Sequence, residues 1–145
     1  MIVRDILAAK HIERIFSVTP TDTVSTAAEM LSEKRIGAVI VREEGNQMDG
    51  ILSERDIVRE IGRRGVDCMK DRVGTIMTSN VKSCSPSETT QAVMQIMTDG
   101  RFRHLPVMDD GKLVGVISIG DVVAARIKEV QFENDSMADL IAGNI

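Results

Sequence analysis

Gly50-Ile51-Leu52-Ser53-Glu54-Arg55-Asp56 returns further along the chain as Gly115-Val116-Ile117-Ser118-Ile119-Gly120-Asp121. Each stretch is a glycine, two apolar strand residues, a serine, two variable positions and an aspartate that opens a helix. The repetition extends outward from this motif. Ser17-Val18-Thr19-Pro20 falls on Ser83-Cys84-Ser85-Pro86, Thr23 on Thr89, Arg35 on Arg101, Val41 on Val107 and Gly45 on Gly111. Upstream, Val3-Arg4-Asp5-Ile6-Leu7 matches Val73-Gly74-Thr75-Ile76-Met77, with a short insertion after it in the first copy. The chain is therefore two tandem units of roughly 60 residues, near the lower limit for an independent core, so the copies are expected to cover each other's apolar faces.

Both copies read alike. Short strands at Ile15–Val18 and Val81–Cys84 stop at Thr19-Pro20 and Ser85-Pro86. A helix follows: Val24, Ala27, Ala28 and Leu31 share one face, as do Thr90, Val93, Met94 and Met97. Two strands come next, Ala38 to Val41 and Gly50 to Leu52, joined by a turn holding Gly45-Asn46. In the second copy Leu105 to Met108 and Leu113 to Ile117 are joined by Asp109-Asp110-Gly111, a hairpin signal. A second helix begins at Ser53 and at Ser118. The order β-α-β-β-α, written twice, predicts a mixed α/β (α+β) fold with the two repeats packed pseudo-symmetrically. Gly62–Asp67 reads as the linker. The expected divisions are 1–66, 67–129 and a helical extension over 130–145.

The 145 residues carry 18 basic and 22 acidic side chains, a net charge of -4, which supplies no broad positive field for duplex DNA or RNA. Aromatics make up only 2%, too few for base stacking along a single strand. Cys68 and Cys84 lack C-x-x-C spacing, and with only His11 and His104 beside them they argue against a disulfide framework or a structural zinc site. Two free thiols and the lack of a signal-peptide pattern point to the cytoplasm, and no apolar run approaches a membrane span.

The repeated motif has two readings. As a capping box, the serine caps the helix and the acidic residue at the third helical position answers it. As a ligand site, the same geometry sets a phosphate at a helix N-terminus and lets the aspartate accept bonds from both ribose hydroxyls. No G-x-G-x-x-G, no phosphate-binding G-x-x-x-x-G-K and no G-x-S-x-G is present, and no catalytic constellation emerges.

The doubled unit with its G-h-h-S-x-x-D ends, together with Arg103-His104-Leu105-Pro106-Val107 before the second hairpin, resembles a pair of cystathionine-β-synthase-type (CBS) domains, the Bateman module. The resemblance covers nearly the whole chain. It implies two inter-repeat clefts for adenosine nucleotides such as AMP, ADP, ATP, NAD(H) or S-adenosylmethionine, held as regulatory ligands, with no resident cofactor. Asp56 and Asp121 match the ribose-binding position, and Ser53 and Ser118 the hydroxyl beside it. The adenine slot would be lined by Gly37-Ala38-Val39 and by His104-Leu105-Pro106, next to Arg103, with Val18-Thr19 and Cys84-Ser85 at the ends of the first strands. Ala38, Val39, Leu105 and Pro106 would supply an aliphatic alternative to aromatic stacking.

The copies also differ. Arg55 in the first motif, a candidate phosphate contact, becomes Gly120 in the second, and Ala38 becomes His104, so the two clefts are expected to be chemically unequal. Arg55, Arg59 and Arg63 form one helical stripe, read either as phosphate contacts or as a solvated face paired with Glu60. Val123, Ile127, Val130, Asn134, Met137 and Ile141 space a heptad seam on the last helix, read either as a dimer contact or as packing on its own domain. The expected function is a cytoplasmic nucleotide sensor, homodimeric and non-enzymatic, that signals to a separate protein partner. Its rival is a structural or interaction module in which the motifs serve only as caps.

Overall fold

The computed structural model describes residues 1–10, 15–43 and 47–143. In chain order it contains α1 (Val3–Ala9), β1 (Ser17–Val18), α2 (Val24–Lys34), β2 (Ala38–Val41), β3 (Gly50–Ser53), α3 (Glu54–Arg64), a 3-10 turn (Val66–Lys70), α4 (Val73–Ile76), α5 (Thr90–Gly100), β4 (His104–Asp109), β5 (Lys112–Ser118) and α6 (Ile119–Ala142). The class is mixed α/β, with a long C-terminal helix. One sheet has the order β1-β2-β3, β1 parallel to β2 and β2 antiparallel to β3; β4 and β5 form a second.

The two copies use the same local devices. Thr23 and Thr89 cap α2 and α5, accepting from the Thr26 and Ala92 amides at 3.1 and 3.0 Å. Both helices end on a left-handed arginine, Arg35 (φ 53) and Arg101 (φ 56), and the next amide returns to the carbonyl of Leu31 or Met97. The apolar faces read from helical spacing are the ones buried: Val24, Ala27 and Leu31 on α2, and Thr90, Val93 and Met97 on α5. Asp110 (φ 52) and Gly111 (φ 78) make the tight turn between β4 and β5, where positive φ at both positions suits the twist of a hairpin. The turn expected at Gly45-Asn46 lies outside the described residues.

Two expectations need correction. The first strand is only Ser17–Val18, and its second-copy counterpart is a single parallel bridge, Cys84 to Val107. The reason is Pro106. In the first copy the Ile40 amide donates to Phe16 O at 3.1 Å. The matching residue in the second copy is Pro106, which has no N–H to donate, and the ladder stops. Gly62–Asp67 is not an open linker. Gly62–Arg64 completes α3, Gly65 (φ 81) ends it, and the following 3-10 turn buries Cys68 completely.

Contacts divide the chain into two compact units: one comprises Met1–Glu13, Cys84–Val107 and Val116–Ile145, the other Arg14–Ser83 and Met108–Gly115. The leading helices are thus exchanged relative to the sequence repeats. The Val3 and Arg4 amides of α1 donate to Glu88 O and Pro86 O, both at 2.9 Å, in the second repeat. The Val73 and Gly74 amides of α4 donate to Asp22 O and Pro20 O, at 2.8 and 2.9 Å, in the first. The cores follow suit. Val3 and Ile6 pack with Val93, Met97, Leu105, Val107, Ile117 and Val122, while Val73 packs with Val24, Leu31, Val39, Val41, Leu52 and Ile57.

Candidate functional site

In the unit built around β1-β2-β3, the register pairs Ala38 with Ser53, and the Glu54 amide donates to Gly37 O at 2.9 Å. Strand β2 is thereby fastened beside the start of α3. There the Ser53 amide donates to Asp56 Oδ2 (3.0 Å) and the Asp56 amide donates to Ser53 Oγ (3.2 Å), a complete capping box. Asp56 is one of two buried polar residues among those described, and its Oδ1 accepts from Arg59 at 3.3 Å. Arg63 and Arg64 both bind Glu60, and these hydrogen bonds hold its carboxyl below the usual range. Of the arginine stripe, Arg59 and Arg63 are therefore engaged on their own helix, Arg59 with Asp56 rather than Glu60. Arg55 is exposed and, with Glu54, Val58 and Arg59, lines a depression of about 430 Å³.

The other unit repeats this geometry. The Ile119 amide donates to Arg103 O at 2.8 Å, the Ser118 amide to Asp121 Oδ2 at 2.8 Å, and the Asp121 amide to Ser118 Oγ at 3.2 Å. Here a cation from far away joins the motif. Lys10 Nζ, just past α1, donates to Val116 O at 2.9 Å and lies 3.0 Å from Asp121 Oδ2. Burial pushes the Asp121 carboxyl up, but the Ser118 amide and the Lys10 ammonium outweigh it and hold it below the usual carboxylate range. Among the described residues, Asp121 Oδ1 accepts no hydrogen bond, whereas both oxygens of Asp56 do. Gly120 leaves the start of α6 open: an added Cβ would meet nothing nearer than Ser118 Oγ at 3.6 Å. Lys10 is the residue that motif reasoning missed. Nothing local marks it, because its place depends on α1 docking in the second repeat's unit.

The remaining candidates are brought together within each unit but divide by exposure. Val18, Val39, Cys84 and Leu105 are buried members of the two cores, and Pro106 is buried as well. Val39 is 1% and Leu105 0% exposed, so neither side chain has surface to offer a base. Ala38 and His104, expected beside them, are half-buried. Burial, aided by the Glu88 charge, pushes the Cys84 thiol up to about 12, a packing group rather than a nucleophile. Thr19 and Ser85 sit in matching turns, their amides donating to Asp22 Oδ2 (2.8 Å) and Glu88 Oε2 (3.3 Å).

A β-α-β-β-α unit written twice, each copy carrying a strand-end serine and a helix-opening aspartate, is the arrangement of a CBS pair. The CBS domain profile matches residues 3–63 and 73–128, and the chain belongs to this family. It is 37% identical over 129 residues to the CBS domain-containing protein CBSX3, mitochondrial, of Arabidopsis thaliana, an alignment covering 86% of this chain and 63% of that protein. A CBS-domain containing protein from Agrobacterium tumefaciens superposes with a TM-score of 0.83 at 41% identity, covering 87% of this chain and 99% of that one. CBSX2 in complex with AMP superposes with a TM-score of 0.71 at 27% identity, covering 88% of this chain and 96% of that one. The matched residues are CBS domains, and no catalytic domain is indicated among them. No helix among the described residues is long and apolar enough to cross a membrane.

Proposed function

We propose that this chain is a regulatory sensor of adenosine nucleotides (AMP, ADP, ATP or NAD(H)) that acts in the cytoplasm as a homodimer and signals to a separate protein, without catalysis of its own. The observation that carries the reading is the paired carboxylate: Asp56 and Asp121 sit at the same point of two helix starts, each within a unit that also holds the matching strand residues. The AMP complex of CBSX2 supports an adenosine ligand for the same fold.

In this reading Asp56 and Asp121 accept from the ribose hydroxyls. Ser53 and Ser118, with the helix starts, serve phosphate or ribose, and Arg55 adds a charge-assisted phosphate contact in the first copy alone. Backbone groups of Gly37–Val39 and of Arg103–Pro106 meet the adenine, with Val18-Thr19 and Cys84 alongside. A ligand favouring one arrangement of the chain shifts its population, and the partner protein responds to that shift.

Calorimetric titration with AMP, ADP, ATP, NAD, NADH and S-adenosylmethionine tests it, repeated on Asp56→Ala and Asp121→Ala. Binding lost one site at a time supports the reading. No heat with any nucleotide refutes it and leaves the capping boxes as purely structural.

A further inference from the structure

Helix α6 spans 24 residues, and only its first half is held by the protein. Val122 and Ala125 are buried, and Glu129 is tied to Arg126 and accepts from Thr90 Oγ1 at 2.8 Å. From Val130 to Gly143 every residue is exposed, about 20 Å of helix at 1.5 Å per residue. Along one face this length displays Val130, Met137 and Ile141, between 43% and 81% exposed. So short a helix is marginal in water without a packed face, and an apolar stripe of this size marks a contact surface.

The charges identify the occupant. From Glu129 onward the helix carries Glu129, Glu133, Asp135 and Asp139 and no lysine or arginine, while the turn before it carries Arg126 and Lys128. The seam Val123, Ile127, Val130, Asn134, Met137, Ile141 advances by 4, 3, 4, 3 and 4 residues. A second copy laid parallel would set one acidic run against the other. A second copy laid antiparallel, with the two-fold near Phe132, matches Val123 with the partner's Ile141, Ile127 with the partner's Met137 and Val130 with the partner's Asn134. It also brings Arg126 and Lys128 alongside the partner's acidic run and opposes the helix dipoles favourably. We propose that the α6 seam is the contact surface for a second copy of this chain, the two helices running antiparallel. This names the surface of the homodimer in the reading above and is independent of any nucleotide.

The test uses the full chain in two arms. Analytical ultracentrifugation should show a dimer whose dissociation constant rises at least tenfold in Met137→Glu and in Ile141→Glu, with unchanged helical circular dichroism because both sites are exposed. In the second arm, mild oxidation should cross-link the Ile127→Cys/Met137→Cys double variant into dimers, while either single variant and Asn134→Cys stay monomeric on a denaturing gel. Cys68 and Cys84 are buried, and the unmodified chain serves as the blank. A monomeric wild type, or a dimer that ignores both glutamates, overturns the surface, even if nucleotides still bind. Efficient cross-linking of Asn134→Cys alone overturns the antiparallel orientation.

Discussion

The contact between Lys10 and Asp121 allows a quantitative forecast. The ammonium lies 3.0 Å from Asp121 Oδ2 and donates to Val116 O at 2.9 Å, and the two side chains are 32% and 24% exposed. That places the pair between a surface ion pair and a buried one. Lys10→Met removes both bonds and should cost about 1–2 kcal/mol. For a chain of this size that lowers Tm by about 3–6 °C. Asp121→Asn keeps an oxygen for the Ser118 amide and removes the charge, so it should cost about 1 kcal/mol. The double variant should lose less than the two singles together, a coupling of about 0.5–1 kcal/mol. The coupling should depend on pH with a definite sign. Asp121 titrates below its unfolded value of about 3.9, so its stabilisation is complete above that pH and is lost as the pH falls through the folded value. Urea melts of the four proteins at pH 7 and at stepwise lower pH, down to about 2, measure this. A cycle that closes without coupling at pH 7, or a coupling that persists undiminished at the acid end, would refute the placement of Lys10 on the second motif.

Further outcomes follow from the packing. Gly50→Ala would set a Cβ 2.6 Å from the Thr78 carbonyl oxygen and should destabilise by about 1–3 kcal/mol in chemical denaturation. Gly120→Ala, with open space around it, should be neutral or stabilise α6 by up to about 1 kcal/mol in the same assay. Leu105→Ala empties a fully buried core site and should cost about 2–5 kcal/mol, read as an earlier denaturation midpoint at unchanged slope. Cys84, its thiol pushed up to about 12, should resist a thiol-disulfide reagent at pH 7 and react only on unfolding.

Much of this architecture was legible because its determinants are local. Val24, Ala27 and Leu31 announce a helix face by spacing alone, Asp110-Gly111 demands a hairpin turn, and Ser53 with Asp56 is a cap whatever surrounds it. What escaped was non-local. The Val3 and Arg4 amides find their acceptors beyond residue 85, and no pattern near α1 says that it docks there rather than on the repeat that follows it. Lys10 inherits that invisibility. The burial of Val39, Leu105 and Pro106 escaped for a different reason. In β2 the residues from Val39 to Val41 are all buried, and in β4 those from Leu105 to Val107. Strands buried on both faces lose the alternation that would have shown which side chains turn into the core. The missing strand before Cys84 was readable in principle. Pro106 is plain in the sequence, but its missing amide matters only once the parallel partner is known.

The exchanged leading helices also impose an order on folding. The unit around β1-β2-β3 draws α4 from within the run 14–83, so most of it can collapse as soon as that stretch has been synthesised. Helix α1, made first, has no place to dock until Pro86 and Glu88 emerge, and Val3 and Ile6 stay in water meanwhile. Its docking closes a loop through nearly the whole of the other unit, at an entropic cost that grows only slowly with loop length, about 0.6 kcal/mol per doubling. A single cut just after α3 would leave each fragment carrying the helix that completes the other, so the two pieces should reassociate from solution as a complementing pair.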